Sequence, residues 1–591
     1  MIKENAWNHS KRALNGFEFM GYKIEKINFI FLQFRVLDAI CLGKQQSISQ
    51  TFVYGTDMNF LVKTFFATIF LISTLFSKGK QNPNVLLFFP DQLQRDVLSC
   101  YGGPVHTPNI DRLAKEGILF SDATCPTPYC APTRMSLVTG LYPHQHGVVQ
   151  NTGWKQRGMN PNESTYPRTL FEDGYATHHY GKWHLEPKKK GQTVSWYPDQ
   201  YRYFPEFYEQ MKNKFDTYKN RGPGRFSDWY GLIFPIEISK ELRSALDHNN
   251  LWTKWKDHWA GKMVLGMGTL ELELEDCYDY IVANKAIATL KKHAKSKKPF
   301  MINCAFNVPH DPYLVPAKYY EMFPINQIKL PENFQSIHKR FERDWARQVN
   351  VETRGPNGEE SGILEFMRIY YANVKFLDDQ VGRVLEALEK SGQMDNTIVA
   401  FFSDHGDMNG GHGMTWKETV SFYEEVVSIP MIFRYPKLLK PGVSQVAANT
   451  VDVFPTLFDI LNRKQLPDVE GKSLLPYMTG DKEEDEAYPY SFSMRISNNP
   501  KAERQVLPEM AGHFMVRGKG YKYMVYSKLD NKDARYSDEP FDILYKIDKN
   551  PGETVDLAKN PEFQEIKKEM NQELQNFLQR TGWSGKAVLS Y

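Results

Sequence analysis

The stretch Cys130-Ala131-Pro132-Thr133-Arg134-Met135-Ser136-Leu137-Val138-Thr139-Gly140 sets the reading of the chain on both sides of it. Pro128 and Pro132 bracket the cysteine, Arg134 follows one turn later, and the apolar Met135, Leu137 and Val138 lead to Gly140. This order predicts a loop feeding a helix, with Pro132 in the first turn and Gly140 near the C-cap. Cys130 then occupies the end where unpaired N–H groups and the positive end of the helix dipole favour an anion. Arg134 adds a fork-shaped cation able to grip an oxyanion in bidentate fashion. A free cysteine taken alone is more often a small buried hydrophobe. Its setting here argues for chemistry.

On either side of this helix, from Asn82 onward, compact apolar runs alternate with helical patterns. That alternation predicts an α/β fold, a large and mostly parallel sheet sandwiched by helices. The expected strands are Val85–Phe89, Ala176–Tyr180, Phe300–Phe306 and Ile398–Phe402. Each runs straight into polar residues: Asp91 and Gln92, then Lys182 to His184, then His310, and last Asp404 with His405. Ligands of open α/β sheets collect beyond the carboxyl ends of the strands, so these clusters are expected to meet in one crevice.

Between residues 188 and 276 the chain is rich in aromatics, among them Trp196, Tyr197, Tyr201, Tyr203, Trp229, Trp252, Trp255 and Trp259, without clean strand alternation. It reads as an insertion over the sheet edge. Its rings suit stacking on sugars or packing onto the body equally well. The acidic run from Gly480 to Glu486 suggests a boundary, placing a body at 82–480 and a C-terminal subdomain at 487–591. In that subdomain Phe514–Val516 and Tyr521–Tyr526 read as strands of a smaller antiparallel sheet. A helix follows, capped by Asn560 and Pro561, with Phe563, Ile566, Met570, Leu574 and Phe577 on one face and Gly582 as its stop.

The chain has 591 residues and a net charge of +3 drawn from nearly balanced acidic and basic counts, so no global field argues for nucleic acid or an acidic membrane. Six scattered cysteines without a CxxC spacing give neither a disulfide scaffold nor a thiolate metal site. Residues 58–80 open with Met58 and a lysine, pass through the uncharged run Thr64 to Ser77, and end in Lys78 and Lys80. This is the layout of a signal peptide, with an apolar core too short for the roughly 20 residues of a stable membrane span. Residues 1–57 are then an upstream extension, with translation expected to begin at Met58. Export to the periplasm or the medium is expected.

CxPxR followed by a Thr-Gly pair, here Cys130 to Gly140, resembles the maturation signature of the type I sulfatases of the alkaline phosphatase-like superfamily. The resemblance implies that a formylglycine-generating maturation enzyme oxidises Cys130 to formylglycine (3-oxoalanine). It also implies that Asp91, Gln92, the modified Cys130, Asp404 and His405 hold one divalent cation. Gln92 and His405 stand where the commonest pattern has a carboxylate and an asparagine. The oxygen-rich set prefers a hard cation, with calcium ahead of magnesium. Gly181-Lys182-Trp183-His184-Leu185 and Asn307-Val308-Pro309-His310-Asp311-Pro312-Tyr313 resemble two further family motifs. They imply that Lys182 binds sulfate, that His184 handles a proton at the nucleophile, and that His310 protonates the leaving alcohol. Lys417 fits a second sulfate-binding lysine, and Arg134 completes the cationic ring.

The implied function is hydrolysis of sulfate esters on a carbohydrate, a polysaccharide or its oligosaccharides. A phosphodiesterase or phosphonate monoester hydrolase of the same superfamily is the alternative enzyme. An inactive carbohydrate-binding homologue is the alternative of another class. The pairs His144 with His146 and His178 with His179 are expected to be structural.

Overall fold

The computed structural model describes residues 82–152, 158–160, 162–185, 224–227, 233–237, 267–270, 272–341, 360–417, 421–482, 489–496, 510–527, 540–548 and 552–585. The expected extension at 1–57, the signal segment at 58–80 and all eight aromatics named above in the insertion lie outside these residues, as does the end of the acidic run. Residues 81–591 form one compact unit.

The strands in chain order are β1 (Asn84–Phe88), β2 (Ile118–Phe120), β3 (Ala176–Gly181), β4 (Gly224–Ser227), β5 (Ile233–Glu237), β6 (Met267–Leu270), β7 (Phe300–Ala305), β8 (Tyr313–Pro316), β9 (Thr397–Phe402), β10 (Met431–Arg434), β11 (Gly442–Ser444), β12 (Ser491–Ile496), β13 (Gly512–Gly518), β14 (Tyr521–Tyr526) and β15 (Phe541–Lys546). Among the described residues the helices of eight residues or more are α1 (Pro108–Glu116), α2 (Cys130–Thr139), α3 (Tyr278–His293), α4 (Ser361–Lys390), α5 (Val453–Ile460) and α6 (Gln564–Arg580).

The large sheet has seven strands in the order β11-β2-β10-β9-β1-β7-β3. Its run β9-β1-β7-β3 is parallel throughout, while β10 pairs antiparallel with both β9 and β2. β1, β7 and β9 are buried along their whole length, as strands covered on both faces must be. Alternate residues divide between two cores. Leu86 and Phe88 of β1 pack with α1, α3 and α4, and Val85 and Leu87 pack with α2 and α5 on the opposite face. The registers Phe88↔Cys304, Phe88↔Phe401 and Gly181↔Ala305 bring the carboxyl ends of four strands level at one edge.

Within the insertion, β4, β5 and β6 join β8 in a second sheet of order β4-β5-β6-β8. Alternation did not reveal β5 because Pro235 interrupts its sequence Ile-Phe-Pro-Ile-Glu, and proline has no N–H to give to a ladder.

The C-terminal sheet β12-β13-β14-β15 is antiparallel throughout, and its period of two assigns each face. Phe514, Val516, Tyr523, Val525 and Leu544 pack with Met570, Leu574 and Phe577 of α6. Met515, Met524, Tyr526, Ile543 and Tyr545 belong to the core of the large sheet. The cap is as expected: Asn560 accepts the Glu562 N–H, and Gly582 closes the helix at φ 75°.

Two buried cations bind this sheet to the body. Lys522 Nζ donates to Phe422 O at 2.8 Å and to Glu424 at 3.0 Å, and it also pairs with Glu553. Arg517 Nε meets Glu424 Oε1 at 3.0 Å. His412, Glu425 and Glu553 cluster beside this network, where the Lys522 ammonium already supplies the positive charge. Replacing Lys522 by Ala leaves Glu424 and Glu553 short of a counter-charge in the interior. The unfolding free energy is expected to fall by about 3–5 kcal/mol in chemical denaturation. A loss below about 1 kcal/mol would contradict this account of the junction.

Candidate active site

All the residues expected to meet do so. Tyr129 is the N-cap of α2, and Cys130 opens the helix fully buried. Gly140 ends it at φ 68°, in the left-handed region that glycine enters without strain. Asp91 and Gln92 leave β1, Lys182 leaves β3, His310 follows β7, and Asp404 and His405 leave β9. Gly181 precedes Lys182 at φ 100°, and a Cβ there would stand 2.0 Å from Ala305 O. Only glycine lets β3 run this close to β7 before the lysine.

Around Cys130 Sγ stand Lys417 Nζ at 3.2 Å, His405 Nε2 at 3.2 Å, Lys182 Nζ at 3.7 Å and Asp91 Oδ1 at 3.7 Å. Burial pushes the thiol up, but Lys182, Lys417, His405 and a hydrogen bond from His184 pull it well below the ordinary cysteine value. Cys100, Cys125, Cys277 and Cys304 all move the other way, chiefly through burial. Position 130 is thus built for a negative atom. Burial and Cys130 also act to raise Asp91, yet Lys182, His310 and Arg134 hold its carboxyl well below the usual carboxylate range.

Arg134 departs from its expected role. Its Nε donates to Asp404 Oδ2 at 3.0 Å, its Nη2 to Asp91 Oδ2 at 2.8 Å, and its Nη1 to the Lys182 carbonyl at 2.8 Å. The guanidinium is 2% exposed and lies over the Phe89 ring at 4.6 Å. Each of its nitrogens is engaged by the protein. The arginine therefore fixes the two carboxylates instead of gripping an oxyanion.

The ligand atoms of Asp91, Cys130, Asp404 and His405 lie within 4.8 Å of one another. His405 Nδ1 meets Gly406 O at 2.8 Å; the carbonyl can only accept, so the ring donates there and Nε2 is the nitrogen that faces the cluster. Asp404 Oδ1 accepts the backbone N–H groups of Gln92 and His405, each at 3.0 Å. The Gln92 amide is oriented by Asp407 and Tyr313. Its Nε2 donates to Asp407 Oδ2 at 2.6 Å and to Tyr313 Oη at 2.7 Å, and Tyr313 donates to Asp407 at 2.9 Å. The amide oxygen therefore turns to Lys417 Nζ, 3.1 Å away. Two carboxylates, an amide oxygen and an imidazole nitrogen suit a hard divalent cation.

His310 Nε2 lies 2.7 Å from Lys417 Nζ and 3.7 Å from Asp91 Oδ1. Gln92, His184 and Trp416 all hold positive φ, at 63°, 60° and 65°. Strain of this kind in bulky residues gathers where a site demands it. Arg134, Lys182 and Lys417, all buried, bring three fixed cations to the carboxylates of Asp91 and Asp404. Sequence reasoning missed Asp407, Tyr313, Asp311 and Trp416. The first lies three residues past Asp404, and Asp311 and Tyr313 lie inside the quoted His310 motif.

The four histidines of the pairs His144 with His146 and His178 with His179 sit in structural settings. His144 Nε2 donates to Thr581 O at 3.0 Å, and burial lowers the ring to about 4. His146 Nε2 meets Ser136 Oγ at 3.0 Å. His178 and His179 lie on β3, with burial lowering His179 to about 3.

A family model described as Sulfatase matches residues 83–462, well over half of the chain. A second, described as N-sulphoglucosamine sulphohydrolase, C-terminal, matches residues 410–580. Among characterised proteins, a choline-sulfatase of Rhizobium meliloti is 26% identical over 81% of this chain and 83% of its own length. An ulvan-active sulfatase of Formosa agariphila is 27% identical over 85% of this chain and 82% of its own length. A structure described as a complex with its substrate D-glucosamine-2-N,6-O-disulfate superposes with a TM-score of 0.61 at 21% identity, covering 85% of this chain and 98% of the other. The phosphonate monoester hydrolase of Agrobacterium radiobacter gives 0.63 at 20% identity, covering 84% and 96%. At that identity the superpositions establish the fold alone.

If the cluster seats a cation, adding calcium or magnesium to chelator-treated protein raises the thermal unfolding midpoint. About 2–3 kcal/mol of stabilisation is expected at a hundredfold excess over Kd, and Asp404→Ala abolishes the response. A wild-type midpoint indifferent to both ions would contradict the assignment.

Proposed function

The chain belongs to the sulfatase family of the alkaline phosphatase-like superfamily, and from that premise we propose that it releases sulfate from a sulfated carbohydrate, a polysaccharide or its oligosaccharides, with Cys130 acting as formylglycine. The observation that carries this reading is the ring of Lys182, Lys417, His405 and Asp91 about a single buried atom at position 130.

In the unmodified protein, Cys130 Sγ stands where an oxygen of hydrated formylglycine would lie. The modified residue would supply a hydroxyl nucleophile, and a divalent cation, calcium in preference to magnesium, would supply positive charge beside it. Asp91, Gln92, Asp404 and His405 would hold the cation, and Arg134 keeps the two carboxylates in place. Lys182 and Lys417 bind the sulfuryl oxygens, whose single negative charge spreads over three atoms and grows toward both ends during displacement. His310 delivers a proton from Nε2 to the leaving alcohol oxygen. His184, hydrogen-bonded to position 130, holds the proton that must leave the nucleophile before sulfate departs.

Support for a sugar substrate comes from the ulvan-active relative, from the aromatic-rich segment and from the signal-like residues 58–80. The last feature also makes the protein exported, periplasmic or secreted. N-terminal sequencing of native protein is expected to find a start beyond residue 80, and any peptide from residues 1–57 would refute this.

Incubation with a panel of defined sulfated oligosaccharides is expected to release sulfate, with Cys130→Ala lowering the rate by about a thousandfold or more. Faster turnover of a paired aryl phosphodiester would move the enzyme to the phosphodiesterase branch. Sugar binding without sulfate release would make it a carbohydrate-binding homologue.

A further inference from the structure

His310 is held from behind by residues that do not belong to the sulfate-binding ring. Its Nδ1 donates to the backbone oxygen of Asp311 at 2.6 Å and lies 3.1 Å from Asp311 Oδ1. That carboxylate oxygen also accepts the indole N–H of Trp416 at 2.7 Å. With the Nδ1 proton committed to Asp311, Nε2 alone faces the reacting centre.

His310 and Asp311 are consecutive, as are Trp416 and Lys417, so two bonds staple the segments together: Trp416 to Asp311, and Lys417 to His310 at 2.7 Å. Trp416 reaches Asp311 from a backbone at φ 65°, a conformation rarely taken by a bulky residue. Its ring lies 4.7 Å from the Lys417 ammonium, near enough for a cation–π contact. The same indole therefore touches the carboxylate behind the histidine and the lysine in front of it.

We propose that Asp311 and Trp416 are positioning residues for the departure of the alcohol. Asp311 fixes the orientation and the Nδ1–H tautomer of His310, and Trp416 fixes Asp311. The inference rests on the reading of His310 as the proton donor. In that step the bond from the nucleophile to sulfur forms while the bond from sulfur to the alcohol oxygen breaks. The electron pair goes to the alcohol oxygen, which takes the proton from Nε2, a proton the ring carries once Lys417, which here donates to Nε2, has turned to the sulfuryl oxygens. The ring is left neutral, with its remaining proton on Nδ1 and still bonded to Asp311. The backbone oxygen at 2.6 Å stays in Asp311→Ala; what the variant loses is the carboxylate 3.1 Å from Nδ1 and its bond to Trp416, and with them the firm aim of Nε2 at the leaving oxygen.

The role has a signature that general damage lacks. The phenol of an aryl sulfate leaves as an anion without assistance, whereas a sugar alcohol needs the proton. The full-length protein and its Asp311→Ala and Trp416→Phe variants are assayed on 4-nitrophenyl sulfate and on a sulfated sugar that the wild type cleaves. Asp311→Ala is expected to lower kcat on the sugar sulfate by about 10-fold or more and on the aryl sulfate by less than about 3-fold, with Trp416→Phe weaker in the same direction. In a His310→Ala background, Asp311→Ala is expected to have no further effect. Equal losses on both substrates, or a further loss in that background, would overturn the proposal.

Nitrogen-15 NMR of the His310 ring reads the tautomer without turnover. Nδ1 protonation in the wild type, weakened in Asp311→Ala, is the expected result, and a wild-type ring protonated on Nε2 alone would overturn it. Failure of the wild type to release sulfate from any ester would sink the proposed function, while the ring signature still decides the positioning role.

Discussion

The guanidinium of Arg134 is the tie on which the site depends. It joins the second turn of α2 to Asp91 beyond β1, to Asp404 beyond β9 and to the carbonyl of Lys182 beyond β3. Two carboxylates this deep in the interior stay charged only with partners close by, and stripping a partner from such a group costs about 3–5 kcal/mol. Because arginine presents several donors in one rigid plane, it can serve both acids and leave their other oxygens turned toward the cluster. The ring of cations follows from that placement: Lys182 shares Asp91 with Arg134 at 2.5 Å, and Lys417 reaches Cys130 from the loop beyond His412.

That loop depends in turn on the C-terminal sheet. Lys522 holds Phe422 O, and Tyr526 Oη donates to Ser421 O at 3.3 Å. Residues 421 and 422 lie just past Lys417 in the chain, so the small sheet bears on the segment that delivers the lysine. Met515, Met524 and Tyr545 place the same sheet in the core of the large one. The C-terminal residues thus contribute to the site by support.

Much of this was legible in the sequence. Fully buried strands such as β1, β7 and β9 are continuous apolar runs that stop at a polar residue, so both the parallel sheet and the row of site residues at its edge could be read directly. The resemblance at Cys130, Lys182 and His310 then supplied roles that spacing alone does not. What stayed hidden depends on side-chain direction. Arg134 could have faced either the ligand or the carboxylates, and only the fold shows all three of its nitrogens engaged. Asp407, Tyr313 and Asp311 act on other side chains across the chain, and a lone carboxylate or phenol in a loop carries no periodic signal. β5 was hidden by Pro235, whose missing N–H argues against a strand.

The central claim is that Arg134 arranges Asp91 and Asp404, with Gln92 and His405, to seat one divalent cation against residue 130. Anomalous diffraction from crystals grown with manganese in place of the native ion tests it most directly. One strong peak is predicted, bounded by Asp91, Gln92, Asp404 and His405 and touching residue 130. An empty pocket, or a peak bound elsewhere while these four side chains keep their present hydrogen bonds, would contradict it.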